Sequence, residues 1–449
     1  MRHSLATPRA PAYHAAMSSP LGRLADRFGL TRPELRAWAL YDWANSAFFT
    51  VVVTAIFPLY FHAIADGEIG KTAATSRFTI ATTLALTVTA VVAPLLGAFA
   101  DSRPVKKRLL GGFLLLGAGA TAAMALIGPG DITFALLLFV IGNVGVSASF
   151  VFYDALLPHV ARPDELDRVS TAGYALGYVG GGLLLAIDLA LLFLLPDRVL
   201  ATRLCFLSVA VWWVVFALPL FRHVPEPRVA PPDGARPRGA FRQLAATLRE
   251  LRRYPEALLF LVAFLLYNDG IGTIIRLSAT YGLELGLSTG ALVGAILLVQ
   301  VVGIPSTFLF GRVADRVGAR PAIVGALGIY AAITLLAWRM TEAWQFYVVA
   351  LLVGLVQGGT QALSRSLFAK MIPRARSTEF FALFAVFEKF AGILGPALFA
   401  VTLAITGSSR SAILGVLVFF IAGGLLLSRV DLAAGRRRAD EANEAALTA

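Results

Sequence analysis

Long runs of hydrophobic residues alternate with short polar segments along the whole chain. Each run holds about 20 apolar residues, which is the length that a helix needs to cross a hydrocarbon core of roughly 30 Å. The pattern predicts twelve membrane-spanning helices, six on either side of a longer polar segment. The predicted spans are 37–65, 77–100, 109–128, 132–158, 168–195, 201–221, 256–282, 288–311, 319–338, 344–369, 377–406 and 410–430.

The polar segment between the two sets of spans is typical of a linker. Its first part is rich in proline, which prevents regular structure. Between Phe241 and Leu251, apolar residues recur at helical spacing with arginines on the other face, which predicts an amphipathic helix at the membrane interface. We expect the tail beyond Gly435 to be disordered. The predicted parts are a tail at 1–36, a bundle at 37–221, a linker at 222–255, a second bundle at 256–430 and a tail at 431–449.

Two short charged motifs recur about half a chain apart, each between two predicted spans. In the first, Gly97 stands four residues before Asp101. In the second, Gly311 stands four residues before Asp315, which Arg316 follows. A repeat at half the chain length is typical of the duplicated bundles of secondary transporters. The predicted fold class is therefore an all-α membrane protein of two pseudo-symmetric six-helix bundles.

Composition and charge agree with a membrane protein. Of the 449 residues, 58% are hydrophobic and 15% are charged, whereas soluble domains average about 25% charged residues. Most Lys and Arg residues fall on one predicted side, which the positive-inside rule makes cytoplasmic, together with both termini. The net charge of +12 thus indicates contact with anionic lipid headgroups and requires no nucleic acid. The loops of the other side hold only Lys71, Arg77, Arg198, Arg203, Arg339 and Arg410.

Residue types suited to covalent chemistry are scarce. Cys205 is the only cysteine, which excludes an intramolecular disulfide and a site with several thiolate ligands. The five histidines lack metal-ligand spacing, and the chain has no phosphate-binding loop and no visible nucleophile–base pair. We therefore expect no metal, no cofactor, no ATP drive and no enzymatic activity.

Charged residues inside the predicted spans are the main candidates for function. Each costs about 2.5–3.5 kcal/mol on insertion scales, and such residues usually line a substrate or proton path. The alternative is that they pair with one another and fix helix packing, and the sequence leaves both interpretations open for each residue. The charges are Asp42, Asp154, Asp188, Asp269, Arg276, Arg365, Glu388 and Lys389.

Spacing suggests roles for several of these residues. Asp269 and Arg276 are seven residues apart and lie nearly on one helix face, so they are expected to line a cavity together. Glu388 is a candidate for proton coupling, because a carboxyl group desolvated in a cavity can titrate near neutral pH. Arg365 offers a planar fork that suits a carboxylate or a phosphate. The predicted substrate or proton site consists of Asp42, Asn45, Asp154, Asp269, Arg276, Gln361, Arg365 and Glu388.

Glycine and proline predict how two of the helices pack. Gly173, Gly177 and Gly181 form a stripe of small residues, which permits close contact with another helix. Gly395 and Pro396 are expected to break or kink the eleventh span.

The two charged motifs resemble the signature loops of the major facilitator superfamily, between helices 2 and 3 and between helices 8 and 9. Ser102 and Pro104 depart from that pattern, which often has an arginine and a glycine at these positions. The resemblance implies a cytoplasmic gate formed by Gly97, Asp101, Gly311, Asp315 and Arg316.

Most of the chain is also similar to one branch of that superfamily, the vacuolar amino-acid effluxer-like proteins linked to autophagy in fungi, and to their bacterial relatives. The residues that carry this similarity are 41–46, 268–270, 361–366 and 388–396. The amino-acid role belongs to the fungal members of the branch.

Together these features predict a monomeric secondary transporter that works by alternating access around a midplane site. We expect export or exchange of a small polar solute, amino acids first, coupled to protons. Two alternatives stay open: a transporter of the same fold that moves a lipid or another amphiphile, and a membrane sensor or scaffold that transports nothing. High arginine and alanine content with little lysine suggests a bacterium of high genomic GC, and hence the inner membrane.

Overall fold

The computed structural model describes residues 29–101, 103–227, 249–284, 287, 289–391, 394–406 and 409–448. Eleven helices within these residues are long and apolar enough to cross a membrane. The remaining predicted span, 377–406, is present as two shorter helices. The amphipathic helix predicted in the linker lies almost wholly outside the described residues.

The N-terminal half contains six long helices. They are α1 (Pro33–Ile69), α2 (Lys71–Asp101), α3 (Lys106–Ala123), α4 (Ile132–Val160), α5 (Leu166–Leu194) and α6 (Arg198–His223). The glycine stripe on α5 packs against α1, as its spacing predicts: a methyl group at Gly177 would lie 2.6 Å from Ser46 Oγ, and one at Gly181 would lie 2.6 Å from Thr50 Oγ1.

The C-terminal half repeats this arrangement and adds a final helix. Its helices are α7 (Pro255–Glu284), α8 (Thr289–Val317), α9 (Ala319–Arg339), α10 (Ala343–Ala369), α11a (Ser377–Phe390), α11b (Leu394–Thr406), α12 (Ser409–Gly415 continuing as Leu417–Arg429) and α13 (Leu432–Thr448).

Within the described residues, the eleventh span is present as α11a, which ends at Phe390, and α11b, which begins at Leu394. Pro396 lacks an N–H group and a proline ring clashes with the carbonyl four residues earlier, so the first turn of a helix accommodates it at least cost. It lies there in α11b, which begins at Leu394. Gly395 and Pro396 therefore lie in the first turn of a helix, and residues 392–393 before it are outside the described part of the chain.

A nine-residue π-helical segment, Phe48–Ile56, widens α1 near its middle. Pro58 lies two residues after this segment and cannot donate a hydrogen bond to the carbonyl of Thr54. Within the segment, the Thr54 hydroxyl donates to the Phe49 carbonyl at 2.9 Å. π-helical segments are rare and occur frequently next to functional sites.

Two expectations about the ends of elements are wrong. The charged motifs are the last turns of α2 and α8 rather than loops. Gly318 follows the end of α8, and its φ of +89° is a conformation that glycine adopts without strain. The C-terminal tail is helical rather than disordered. It is tied to the C-terminal half because Asn443 Oδ1 accepts a hydrogen bond from the Arg374 backbone N–H at 2.8 Å.

The two halves meet along α2 with α11a, along α4 with α11a, and along α5 with α8 and α10. Glycines of the charged motifs lie at two of these contacts. A methyl group at Gly97 would lie 2.9 Å from the Thr378 carbonyl of α11a, and one at Gly311 would collide with the Thr171 hydroxyl of α5. The motifs therefore determine how closely the halves pack.

Candidate functional site

Arg365 lies on α10, and its side chain is only 1% exposed. Its guanidinium donates from Nη2 to Asp42 Oδ2 on α1 at 3.0 Å and from Nη1 to Asp154 Oδ1 on α4 at 3.1 Å. It also donates from Nε to the Ser170 hydroxyl on α5 at 2.9 Å and from Nη2 to the Ser170 carbonyl at 3.0 Å. One cation of the C-terminal half thus binds three helices of the N-terminal half.

Three aromatic rings surround the same guanidinium. Its Cζ lies 4.4 Å from the ring centroid of Tyr174, 4.7 Å from that of Trp38 and 5.6 Å from that of Tyr153. The Tyr153 hydroxyl donates to Asp42 Oδ2 at 2.8 Å, and Trp38 Nε1 donates to the Tyr153 carbonyl at 3.0 Å. Cations are attracted to the faces of such rings within about 6 Å. The rings and the carboxylates therefore both attract the Arg365 guanidinium.

Gly173 makes this approach possible. A methyl group there would lie 2.5 Å from Asp42 Oδ2 and 3.2 Å from Arg365 Nη2. Glycine therefore leaves room for the carboxylate and the guanidinium beside the α5 backbone.

Asn45 and Gln361 each lie about one helical turn from a member of the charged cluster. Asn45 follows Asp42 by three residues on α1, and its buried amide makes no hydrogen bond with the part of the chain that the structure describes. Gln361 precedes Arg365 by four residues on α10 and donates to Asn268 Oδ1 on α7 at 2.6 Å. A buried amide without partners costs about 1–3 kcal/mol, so Asn45 suits contact with water or solute.

Among the side chains that the structure describes, the other predicted residues do not belong to the group that contacts Arg365. Asp269 is buried on α7 beside Gly395 of α11b, and Glu388 is exposed on α11a and acts electrostatically on Asp154. Asp188 accepts a hydrogen bond from Ser208 at 2.7 Å within the N-terminal half. The side chains of Arg276 and Lys389 lie outside the described residues.

The first charged motif joins the two halves at one end of the molecule. Asp101 accepts hydrogen bonds from the backbone N–H groups of Thr378 and Glu379, at 3.2 and 2.7 Å, where α11a begins. A carboxylate at a helix N-terminus is stabilised by the helix dipole. Lys106 contacts the same carboxylate and donates to the Thr378 hydroxyl at 2.8 Å. Lys106 therefore supplies a cation in a motif that lacks the usual arginine.

Two further ion pairs join the halves at this end. Asp315 of the second motif pairs with Arg168 of α5 at 2.7 Å, whereas Arg316 is exposed. Asp167 pairs with Lys370 at 2.5 Å and accepts a hydrogen bond from Ser366 at 2.7 Å. Burial lowers the pKa of the Lys370 ammonium group, and the Asp167 carboxylate opposes that shift. These contacts hold the halves together at the end that carries the charged motifs.

Sequence reasoning missed several residues that complete these sites. Trp38 was detectable as an aromatic residue four positions from Asp42, on the same helix face, whereas Ser170 and Tyr174 carry no such signal. Asp167 and Lys370 lie at the ends of predicted spans, where charged residues are ordinary, and the sequence carries no signal that pairs them. Within the described residues, no group of three or more His, Cys, Asp or Glu side chains is placed to hold a metal ion.

Comparison with known proteins identifies the family. A family model described as "Vacuole effluxer Atg22 like" matches residues 30–440. The chain belongs to the Atg22-like family. Among relatives of this Atg22-like chain, YxiO of Bacillus subtilis (strain 168), an uncharacterized MFS-type transporter, is 35% identical over 402 residues, covering 88% of this chain and 94% of its own. Autophagy-related protein 22 of Coccidioides immitis (strain RS) is 25% identical over 431 residues, covering 78% of this chain and 71% of its own.

Solved structures show that the Atg22-like chain has the major facilitator fold. The human organic anion transporter MFSD10 superposes with a TM-score of 0.70 at 15% identity, over 88% of this chain and 99% of its own. The transporter FucP in the outward conformation superposes with a TM-score of 0.65 at 15% identity, over 88% of this chain and 98% of its own. The protein is therefore a multi-pass integral membrane protein with the fold of a transporter, built from two six-helix bundles.

Proposed function

We propose that this Atg22-like protein exports or exchanges small polar solutes, amino acids first, by alternating access coupled to protons. The observation that carries the proposal is the buried contact of Arg365 with Asp42 and Asp154. It lies where the two halves meet, so opening that interface requires the contact to break.

The position of these charges favours a role beyond packing. A charge inside a membrane span costs about 2.5–3.5 kcal/mol on insertion scales. Replacing a buried ion pair by well-packed apolar residues is often neutral or stabilising, so such a pair is weak support for stability alone. A cluster that joins two halves which move apart can also take part in transport, since a solute or a proton can replace one of its charged partners.

Charge balance supports proton coupling. Two carboxylates face one guanidinium, so the cluster has a surplus negative charge when both are ionised. One proton neutralises that surplus. Asp154 is the carboxylate that water reaches more readily, because its side chain is 14% exposed and that of Asp42 only 4%. Protonation of Asp154 would remove one of the two ionic contacts that hold Arg365.

The charged motifs suit a gate on the cytoplasmic side, made of Gly97, Asp101, Gly311, Asp315 and Arg316, and closed in this conformation. The positive-inside rule supports this sidedness, with both termini cytoplasmic, anionic headgroups at the basic loops and the bacterial inner membrane as location. The division into bundles at 37–221 and 256–430, with a cytoplasmic linker between them, belongs to the same proposal, as does a monomeric state.

Proteoliposomes test the proposal directly. Pooled labelled amino acids are offered with and without an imposed proton gradient, and accumulation is compared with exchange at equal pH. Wild-type protein is expected to do both. Asp154→Asn, which imitates a permanently protonated carboxyl group, is expected to retain exchange and lose gradient-driven accumulation. Asp188→Asn is the matched control, because it removes a buried carboxylate that bonds within one half.

Folded wild-type protein that neither accumulates nor exchanges any amino acid would contradict the proposal. Activity that appears only with particular lipid headgroups would favour the lipid-transport alternative. A phenotype that survives Asp154→Asn and Arg365→Ala would favour a sensor or scaffold.

A further inference from the structure

We infer that the N-terminal half contains a preformed site for a guanidinium or ammonium group, which Arg365 of the other half fills as a tethered competitor in this conformation. The transported solute is then a cation, such as a basic amino acid or an amine. This inference rests on the proposed transport function and specifies its substrate class.

The groups that hold Arg365 match the requirements of a cation in number and type. Asp42 and Asp154 supply two carboxylate oxygens, and Ser170 supplies a hydroxyl and a carbonyl oxygen, all at 2.9–3.1 Å from guanidinium nitrogens. A guanidinium has five N–H donors and no acceptor, so a site made of acceptors suits it. The three donors of an ammonium group suit the same acceptors.

Aromatic rings add a second, independent mark of cation recognition. The rings of Trp38, Tyr153 and Tyr174 all lie within 5.6 Å of the Arg365 Cζ. Aromatic cages of this kind bind cationic ligands through the negative potential of the ring faces. An anion would be repelled by the same faces and by both carboxylates.

The cage is held in place without help from the arginine. Trp38 stacks on Tyr153 with ring centroids 4.5 Å apart and donates to its carbonyl. The Tyr153 hydroxyl fixes one oxygen of Asp42. Because these contacts lie within the N-terminal half, the cage is expected to persist when Arg365 leaves, and a preorganised site binds with less entropic cost.

The division of the site between the halves explains why a substitute cation is needed. Every acceptor and every ring belongs to α1, α4 or α5, whereas the cation comes from α10. Separation of the halves would leave two buried carboxylates without their cation, which is strongly unfavourable. A solute cation or protons can offset this cost, so the solute and Arg365 occupy the same site in alternation.

The competing interpretation is that Arg365 binds the carboxylate of a solute. In this conformation, the donors of its guanidinium go to Asp42, Asp154 and Ser170, and rings cover its faces. A solute carboxylate would have to displace the acidic groups to reach it. The two interpretations predict opposite results for removal of the arginine.

Binding to purified protein distinguishes them. The probes are arginine and its uncharged isostere citrulline, with guanidinium chloride at low millimolar concentration, and the readouts are tryptophan fluorescence and thermal stabilisation. We expect Arg365→Ala to bind arginine and guanidinium about tenfold more tightly than wild type. The Arg365 side chain no longer competes for the site, so a larger fraction of the protein is able to bind the probe. The α-ammonium group of citrulline carries its own carboxylate beside it, which Asp42 and Asp154 repel, and its side chain is uncharged, so citrulline is expected to bind weakly to both proteins.

Further variants keep the test decisive if Arg365→Ala does not fold. Arg365→Gln combined with Asp154→Asn has the same net charge as the wild-type cluster and keeps Asp42 and the rings, so it is also expected to prefer arginine over citrulline. Adding Trp38→Leu to either background is expected to remove that preference. Equal binding of arginine and citrulline, or weaker arginine binding after loss of Arg365, would overturn the inference.

The same experiments separate this inference from the proposed function. If the variants bind cations but wild-type proteoliposomes move none, the transport proposal fails and the cation site stands. If neutral amino acids accumulate and the variants show no cation preference, the transport proposal stands and this inference fails.

Discussion

At the scale of single residues, the arrangement around Arg365 depends on small groups as much as on charges. Gly173 leaves space for Asp42, and the Tyr153 hydroxyl fixes the carboxylate that the guanidinium also binds. Hydrogen bonds to charged groups are worth about 1.5–3 kcal/mol, more than those between neutral groups. Loss of one hydroxyl should therefore be measurable.

Tyr153→Phe keeps the aromatic ring and removes only that hydroxyl. We expect solute affinity to fall by about tenfold, which corresponds to about 1.4 kcal/mol. Concentration-dependent exchange in proteoliposomes measures this change. Tyr267→Phe is the control, because the Tyr267 hydroxyl bonds to the neutral Ser364 hydroxyl at 2.6 Å within the C-terminal half. Equal effects of both substitutions would argue against a special role for the Asp42 contact.

The charged cluster illustrates what sequence can predict about single residues. Asp42, Asp154 and Arg365 were predictable as functional candidates, because each is costly in a membrane span. The contact between these three residues was not predictable, since contact between residues so distant in sequence depends on how helices rotate and pack. Asp269 has the same sequence signal, yet lies on the α7–α11b contact beside Gly395.

At the scale of elements, close approach between helices is set by glycines in the charged motifs. Gly97 lies where α2 meets α11a, and Gly311 lies where α8 meets α5. The number and position of the helices followed from hydropathy, because span length is fixed by the membrane. The helical state of the charged motifs did not follow from hydropathy, because charged residues at the end of a helix give the same sequence pattern as a polar loop.

Gly97→Ala would place a methyl group 2.9 Å from the Thr378 carbonyl. Overpacking of this kind costs about 1–3 kcal/mol, which should destabilise the closed end of the molecule. Spin labels on cysteines at Arg103 and Ala375, both exposed, should report longer distances between the halves. Gly112→Ala is the matched control, since nothing lies within 4 Å of a methyl group there. Unchanged distances in Gly97→Ala would refute this account of the motif.

At the scale of the whole molecule, described polar contacts between the halves extend from Arg365 to the end with the charged motifs. Asp101, Asp315 and Asp167 each accept from a group of another bundle at that end. Together they describe a conformation closed at that end. Such contacts were not predictable, because they belong to one conformational state and not to the fold alone.

The Asp167–Lys370 pair tests this closure. Either Asp167→Lys or Lys370→Asp would leave like charges together in a buried place, and breaking a buried pair costs about 3–5 kcal/mol. We expect each single variant to lower the exchange rate, and the double variant to recover most of it. Recovery in the double variant is the diagnostic result, and additive loss would show that the pair is not coupled.

The division of the Arg365 cluster between the halves also bears on how the chain evolves. After a duplication, the two copies have the same sequence, so either copy could in principle supply both the acidic and the basic residues of such a cluster. Here one copy carries the acidic partners and the other carries the arginine that binds them, so the copies have become specialised and depend on each other. Recombination that joins the first half of one relative to the second half of another should yield a working protein only where both parents keep the same division of charge.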